Sequence, residues 1–220
     1  MKKLLLLRPE PGLTSSAERA AALGLEVIAR PLFRVEPVDW VVPDPAGYDA
    51  LLLSSANAVR HGGSGLEALK SLPVHAVGAA TAAAAQHAGF NVHSTGRGDL
   101  ADLLAELPAS LNLLWLAGQD RREAPLRDRI DTRVVYRSVP VAMPRLPPLE
   151  GLVVAVHSPR AGRRLAELAD GREHSVIAAI SAAAAEACGT GWERIEIARQ
   201  PEDSALLALA AMLCHTGYRP

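Results

Sequence analysis

The sequence predicts an α/β protein built as two similar lobes, each a parallel sheet with helices on both faces. Three observations lead there. Apolar runs of four to seven residues alternate with longer helical patterns along the chain, as strands buried on both faces require. Two segments echo each other one hundred residues apart: Val77-Gly78-Ala79-Ala80-Thr81, four alanines and Gly89, against Ile177-Ala178-Ala179-Ile180-Ser181, four alanines and Gly189. Each reads as strand, hydroxyl N-cap, helix and glycine C-cap. Upstream of each copy lies a further apolar run ending in serine, Leu51-Leu52-Leu53-Ser54-Ser55 and Val153-Val154-Ala155-Val156-His157-Ser158.

In chain order, residues 3–7 carry four leucines and stop at Arg8-Pro9, which reads as a buried first strand. Met1-Lys2-Lys3 ahead of them resembles the start of a signal peptide, but the apolar run ends too early for one. A helix over 15–22 and a strand over 26–29 follow. Strands at 50–53, 74–77, 91–93, 113–115 and 133–136 then alternate with helices at 57–69, 82–88, 100–106 and 124–130. Gly62-Gly63-Ser64-Gly65 marks a break in the first of these helices, and Asp99 reads as the N-cap before Leu100. The last third supplies strands at 152–156, 175–177 and 194–197 and helices at 161–169, 182–187 and 204–214. Ten strands make two sheets of five.

Two proline-bearing segments, 31–45 and 140–148, interrupt this rhythm and read as extended connectors rather than core elements. Cutting there gives one lobe from residues 1–34 and 142–220 together, and a second from 38–138, with connectors near 35–37 and 139–141. Two crossings make a hinge with a cleft beneath it.

Composition narrows the function. A formal charge of −1 over 220 residues argues against bulk electrostatic binding of nucleic acid. Cys188 and Cys214 form no CxxC pair and suit a reducing compartment as buried thiols. No run approaches the roughly 20 apolar residues that cross a bilayer, so a cytoplasmic protein without membrane contact is expected. The seven histidines show no metal-ligand spacing, and no metal site is expected. With no GxGxxG, Walker A or GxSxG motif, nucleotide cofactors and a serine-hydrolase elbow lack support. Arg97-Gly98-Asp99 is read as a chance tripeptide.

Taken together, the motifs resemble the uroporphyrinogen-III synthase family. The resemblance rests on Leu6-Leu7-Arg8-Pro9-Glu10, Pro31-Leu32-Phe33, Leu53-Ser54-Ser55-Ala56-Asn57-Ala58-Val59, and Val77-Gly78-Ala79-Ala80-Thr81-Ala82 with Gly89. It continues through Trp115-Leu116-Ala117-Gly118 with Arg121, Val135-Tyr136-Arg137, Ser158-Pro159 and the segment 177–189, nearly the whole chain. Two departures stand out: Leu7-Arg8-Pro9 where many relatives have Thr-Arg-Pro, and Ile177-Ala178-Ala179-Ile180-Ser181 where they have Ile-Gly-Pro-Thr-Thr. The resemblance implies two flavodoxin-like (Rossmann-like) lobes joined by a two-stranded hinge. It implies a cofactor-free lyase that closes hydroxymethylbilane with inversion of its last ring. It further implies a monomer in transient contact with hydroxymethylbilane synthase, which supplies the substrate.

That substrate carries eight carboxylates and calls for distributed donors. Ser55, Thr81, Ser158 and Ser181 each follow a predicted strand and precede a predicted helix, where backbone amides and hydroxyls can hold anions. Each can equally be a simple helix cap. Arg8 and Arg121 are candidate carboxylate contacts, with Arg122 beside the latter; each is alternatively a solvated charge at a turn. Tyr136 matches the family tyrosine and is the candidate catalytic donor to the departing hydroxyl, or else a residue wedged at the hinge. The rival from another class is a non-catalytic two-lobed binding protein for an anionic small molecule, and a doubly wound nucleotide-dependent enzyme stands third.

Overall fold

The structure, a computed structural model, describes residues 1–97, 99–121 and 128–215. Its elements run β1 (Leu4–Leu6), α1 (Gly12–Ala22), β2 (Val27–Ala29), β3 (Phe33–Pro37), β4 (Ala50–Leu53), α2 (Ala56–His61), β5 (Val74–Ala76), α3 (Ala79–His87), β6 (Val92–Thr95) and α4 (Leu100–Glu106). They continue as β7 (Leu113–Gly118), β8 (Ile130–Pro140), β9 (Val153–Val156), α5 (Pro159–Leu168), β10 (Val176–Ala179), α6 (Ala182–Ala187), β11 (Arg194–Ile197) and α7 (Asp203–His215). The chain divides into two compact units, residues 1–34 with 140–220, and residues 35–139.

In the first unit the sheet runs β2-β1-β9-β10-β11, with every neighbouring pair parallel. Numbered along this unit's own chain, that is the order 2-1-3-4-5 of flavodoxin-like sheets. Strands β1, β2, β9 and β10 are apolar throughout, and side-chain alternation splits them between two cores. Leu4, Leu6, Val153 and Ala155 pack under α1 and α7 with Leu206 and Ala210. Leu5, Leu7, Val154 and Val156 face the other way, onto Ala161 and Leu165 of α5 and Ala184 of α6. Each fully buried leucine contributes about 1.5–3 kcal/mol, so this doubly covered sheet is the main source of the unit's stability. Cys188 and Cys214 are free, buried thiols, and burial pushes both up to about 11.

The second unit holds β6-β5-β4-β7-β8-β3. Its parallel strands, β4 to β8, take the order 3-2-1-4-5, the Rossmann arrangement. Leu51, Leu53, Leu114 and Leu116 pack under α2 and α3, while Leu52, Leu113 and Trp115 pack against Leu103 and Leu104 of α4.

Ten strands in two sheets of five were expected; the described residues form eleven, in sheets of five and six. The added strand, β3, comes from the first proline segment. It lies at the sheet edge and ends on Pro37, where the missing amide donor breaks no ladder. Strand β8 is also longer than the four residues expected, at 11 residues. The helix expected at 124–130 falls mostly on 124–127, outside the described residues; 128–129 form a turn and Ile130 opens β8. The helix expected at 57–69 stops at His61, and a 3-10 turn, Gly63–Leu69, takes over at the glycine pair.

The internal echo also resolves differently. Gly78 ends the first strand-to-helix turn and Ser181 the second, so the two turns correspond at an offset of 103 residues, while the terminating Gly89 and Gly189 remain 100 apart. The three-residue difference is the extra length of α3, with 9 residues against 6 in α6. Gly89 and Gly189 close these helices at φ +85° and +67°, a conformation that a side chain disfavours.

Candidate functional site

In parallel sheets ligands bind beyond the carboxyl ends of strands, at the point where the strand order reverses, because helix N-termini converge there. For the first unit that point lies between β1 and β9. Arg8 leaves β1 there, and His157 and Ser158 leave β9. The arginine does not stand free. Its Nη1 donates to Ser16 Oγ at 2.9 Å and to Asp203 Oδ1 at 2.9 Å. Ser16 Oγ donates to the same Oδ1 at 2.6 Å, and His157 Nε2 donates to it at 2.7 Å. Arg19 Nη2 meets the second carboxylate oxygen at 3.0 Å. One carboxylate at the start of α7 thus ties together the β1–α1 turn, α1 and the end of β9.

The Asp203 carboxyl is pulled well below the usual carboxylate range. Burial acts in the opposite direction, but hydrogen bonds from His157 and Ser16 and the charges of His157 and Arg8 outweigh it. Ser158 and Ser181 complete this rim as N-caps. Ser158 Oγ accepts from Ala161 N at 3.1 Å and Ser181 Oγ from Ala184 N at 3.3 Å.

The second unit's reversal lies between β4 and β7. Ser54 and Ser55 leave β4, and Gly118 ends β7. Ser55 Oγ caps α2 by accepting from Asn57 N at 3.2 Å, and Trp115 Nε1 donates to Ser54 Oγ at 3.0 Å. Arg121 lies against the same tryptophan, its Cζ 5.6 Å from the ring centroid, with Nη1 donating to the Gly118 carbonyl at 3.4 Å. A register shift between Ala117 and Gly118 pairs Gly118 with Tyr136. The phenol ring then covers the glycine: a Cβ there would lie 2.6 Å from Tyr136 Cζ and 2.9 Å from its Oη. Only glycine admits the ring in this position. The His61 ring stands 6.4 Å from that of Tyr136, and burial, followed by the charge of Arg60, holds its pKa below the ordinary value. The aromatic pair is therefore a phenol beside a largely neutral imidazole at pH 7.

Thr81 differs from its sequence expectation as a helix cap. The helix begins at Ala79, so Thr81 lies inside the first turn of α3, buried, with its amide bonded to the Gly78 carbonyl at 3.0 Å. Gly78, extended at φ −160°, takes the cap position without a side chain. The structure therefore groups Arg8, Ser158 and Ser181 on one rim and Ser55, Arg121 and Tyr136 on the other, with Thr81 one turn into its helix. Arg122 lies outside the described residues. Sequence reasoning missed Ser16, Arg19, His157 and Asp203. Asp203 is 195 residues from Arg8, and no local pattern joins them.

Among the described residues no group of three or more His, Cys, Asp or Glu side chains could hold a metal ion, and no helix is long and apolar enough to cross a membrane. A cavity of about 470 Å³ lined by Asp49, Pro73, His75, His93 and Leu107 opens near the opposite, amino ends of the second unit's strands, away from the helix N-termini.

A family model described as uroporphyrinogen-III synthase HemD matches residues 15–208. Among solved structures, uroporphyrinogen-III synthetase from Helicobacter pylori is 18% identical at TM-score 0.69, covering 97% of this chain and 100% of that one. A mutant uroporphyrinogen III synthase from Thermus thermophilus is 20% identical at TM-score 0.52, covering 96% of this chain and 99% of that one. A comparison with curated proteins finds no match. At these identities the structural likeness speaks for the fold, and the family model for membership.

Proposed function

We propose, for a chain that belongs to the uroporphyrinogen-III synthase family, a division of labour in which both rims bind carboxylates and the second also carries the reacting group. The protein is a cyclising lyase of tetrapyrrole and heme biosynthesis with a small-molecule substrate. Its substrate is hydroxymethylbilane, which it closes with loss of water and inversion of ring D. In this reading Arg8, Ser158 and Ser181 on the first rim, and Ser55, Arg121 and the first turn of α3 with Thr81 on the second, hold the acetate and propionate groups. The three capping serines use an acceptor lone pair on the helix, and each keeps an O–H free to donate to a carboxylate. Strands β3 and β8 serve as the hinge between the lobes.

Tyr136 donates a proton to the leaving hydroxyl. A tyrosine O–H can donate, and the imidazole beside it is largely neutral. Water departs, leaving an azafulvenium cation. Carbon–carbon bond formation at the substituted position of ring D gives a spiro intermediate, which fragments and recloses with that ring turned over. The proton lost from the ring carbon at closure returns to the phenolate, so the cycle balances. Positioning supplies most of the rate, because the unguided reaction closes the chain head to tail. The protein works as a cytoplasmic monomer and takes its short-lived substrate from hydroxymethylbilane synthase in transient contact.

The observation that carries this reading is Tyr136, seated over Gly118 at the strand-order reversal of the second unit. Incubation with freshly generated hydroxymethylbilane and chromatographic separation of the isomers tests it. Uroporphyrinogen III is the expected product; type I alone, as in the spontaneous reaction, would leave a binding protein in place of an enzyme.

A further inference from the structure

Asp203 Oδ1 receives three donors at once, Arg8 Nη1, Ser16 Oγ and His157 Nε2, although a carboxylate oxygen offers two lone pairs. Among the described residues its partner Oδ2 accepts no hydrogen bond, and the exposed Arg19 meets it as an ion pair. The donors therefore compete, and Arg8, at 2.9 Å, makes the longest of the three contacts. The His157 side chain is 9% exposed, and its Nδ1 is buried without a partner. Its link to Arg8 runs through Asp203.

We infer that His157 is a positioning residue for the carboxylate contact at Arg8: by its hold on Asp203 it sets how freely the Arg8 guanidinium turns to substrate. This rests on the reading of Arg8 as a substrate ligand. The His157 Nε2–H takes one of the lone pairs of Oδ1 for which Arg8 also competes. Without that donor the carboxylate closes on Arg8; with it, the guanidinium is freer to turn to an external anion. The effect is on binding and does not touch the reacting atoms. The charged groups bearing on His157 are Asp203 from α7 and, through it, Arg8 from the β1–α1 turn and Arg19 from α1. On α5, Arg160 lies over the Phe33 ring and Arg164 pairs with Glu167.

The test is KM and kcat for hydroxymethylbilane in the wild type, in His157→Leu, which removes the donor, and in His157→Gln, whose amide restores it. His157→Leu is expected to raise KM severalfold with no matching change in kcat, and His157→Gln to return KM most of the way to the wild-type value. If the wild type yields no type III isomer, the functional reading fails, whatever His157 does. Type III product with the same KM in all three proteins, or an equal rise in both variants, overturns this inference alone. Should His157→Leu not fold, ring ¹⁵N spectra of the wild type decide: uroporphyrinogen III should shift the His157 resonances as Arg8 turns from Asp203, and unmoved resonances overturn the inference.

Discussion

The two units solve the same packing problem with different strand orders, 2-1-3-4-5 in the first and 3-2-1-4-5 in the second, and their rims differ accordingly. The first rim is ionic and cross-tied: three elements meet on the Asp203 carboxylate. The second is aromatic, with Trp115, Tyr136 and His61 set around a glycine. A charged, pinned rim can offer fixed electrostatic contacts to a polyanion. An aromatic rim with a phenol O–H beside a largely neutral imidazole can offer a proton. Similar scaffolds thus place different chemistry at equivalent points, which is why the duplication alone says little about mechanism.

The largest way to break this comparison is to remove the tie. Asp203→Ala leaves Arg8 and His157 without their shared acceptor and should lower stability by about 3 kcal/mol, the usual cost of orphaning a largely buried ion pair. The folded-state pKa of Asp203 is depressed, so its contribution is fully present above the unfolded carboxylate value and is lost as pH falls through the folded one. Urea titrations should show a wild-type advantage that is constant between about pH 5 and 7 and shrinks below about pH 4. A pH-independent gap would mean that the carboxylate's charge is not what holds the rim.

On the second rim, Gly118→Ala should push the Tyr136 ring aside, since the new Cβ falls within 2.6 Å of it. The displaced atoms are the far end of a movable side chain, so stability should change little while kcat falls about tenfold, equivalent to about 1.4 kcal/mol. Wild-type kcat in this variant would separate Tyr136 from the chemistry.

A smaller contrast sharpens the repeat itself. Ser181→Ala removes a cap and should cost about 1 kcal/mol, whereas Thr81→Ala removes none and should cost distinctly less, with only partial loss of activity. Equal destabilisation in denaturant titrations would restore the simple offset of 100 residues.

Much of this architecture was legible in the sequence because buried parallel strands announce themselves: Leu51-Leu52-Leu53 and Val153-Val154 admit few other readings. Strand β3 was not, because its prolines mask a strand whose edge position excuses them. The cap at Gly78 was hidden by Thr81, a better capping residue by type that sits three positions too far along. Of the candidate site, the residues at strand ends could be found by position, since any Ser after an apolar run is a candidate. The Asp203 tie could not. It joins residues from opposite ends of the chain, and its aspartate carries only the local signal of an acidic residue opening a helix.

The division between carboxylate binding at Arg8 and reaction at Tyr136 is tested most directly by steady-state kinetics of Tyr136→Phe and Arg8→Gln with hydroxymethylbilane, side by side. Tyr136→Phe should lower kcat about tenfold or more at nearly constant KM, and Arg8→Gln should raise KM at nearly constant kcat. The opposite pattern, or both variants changing the same parameter, would contradict it.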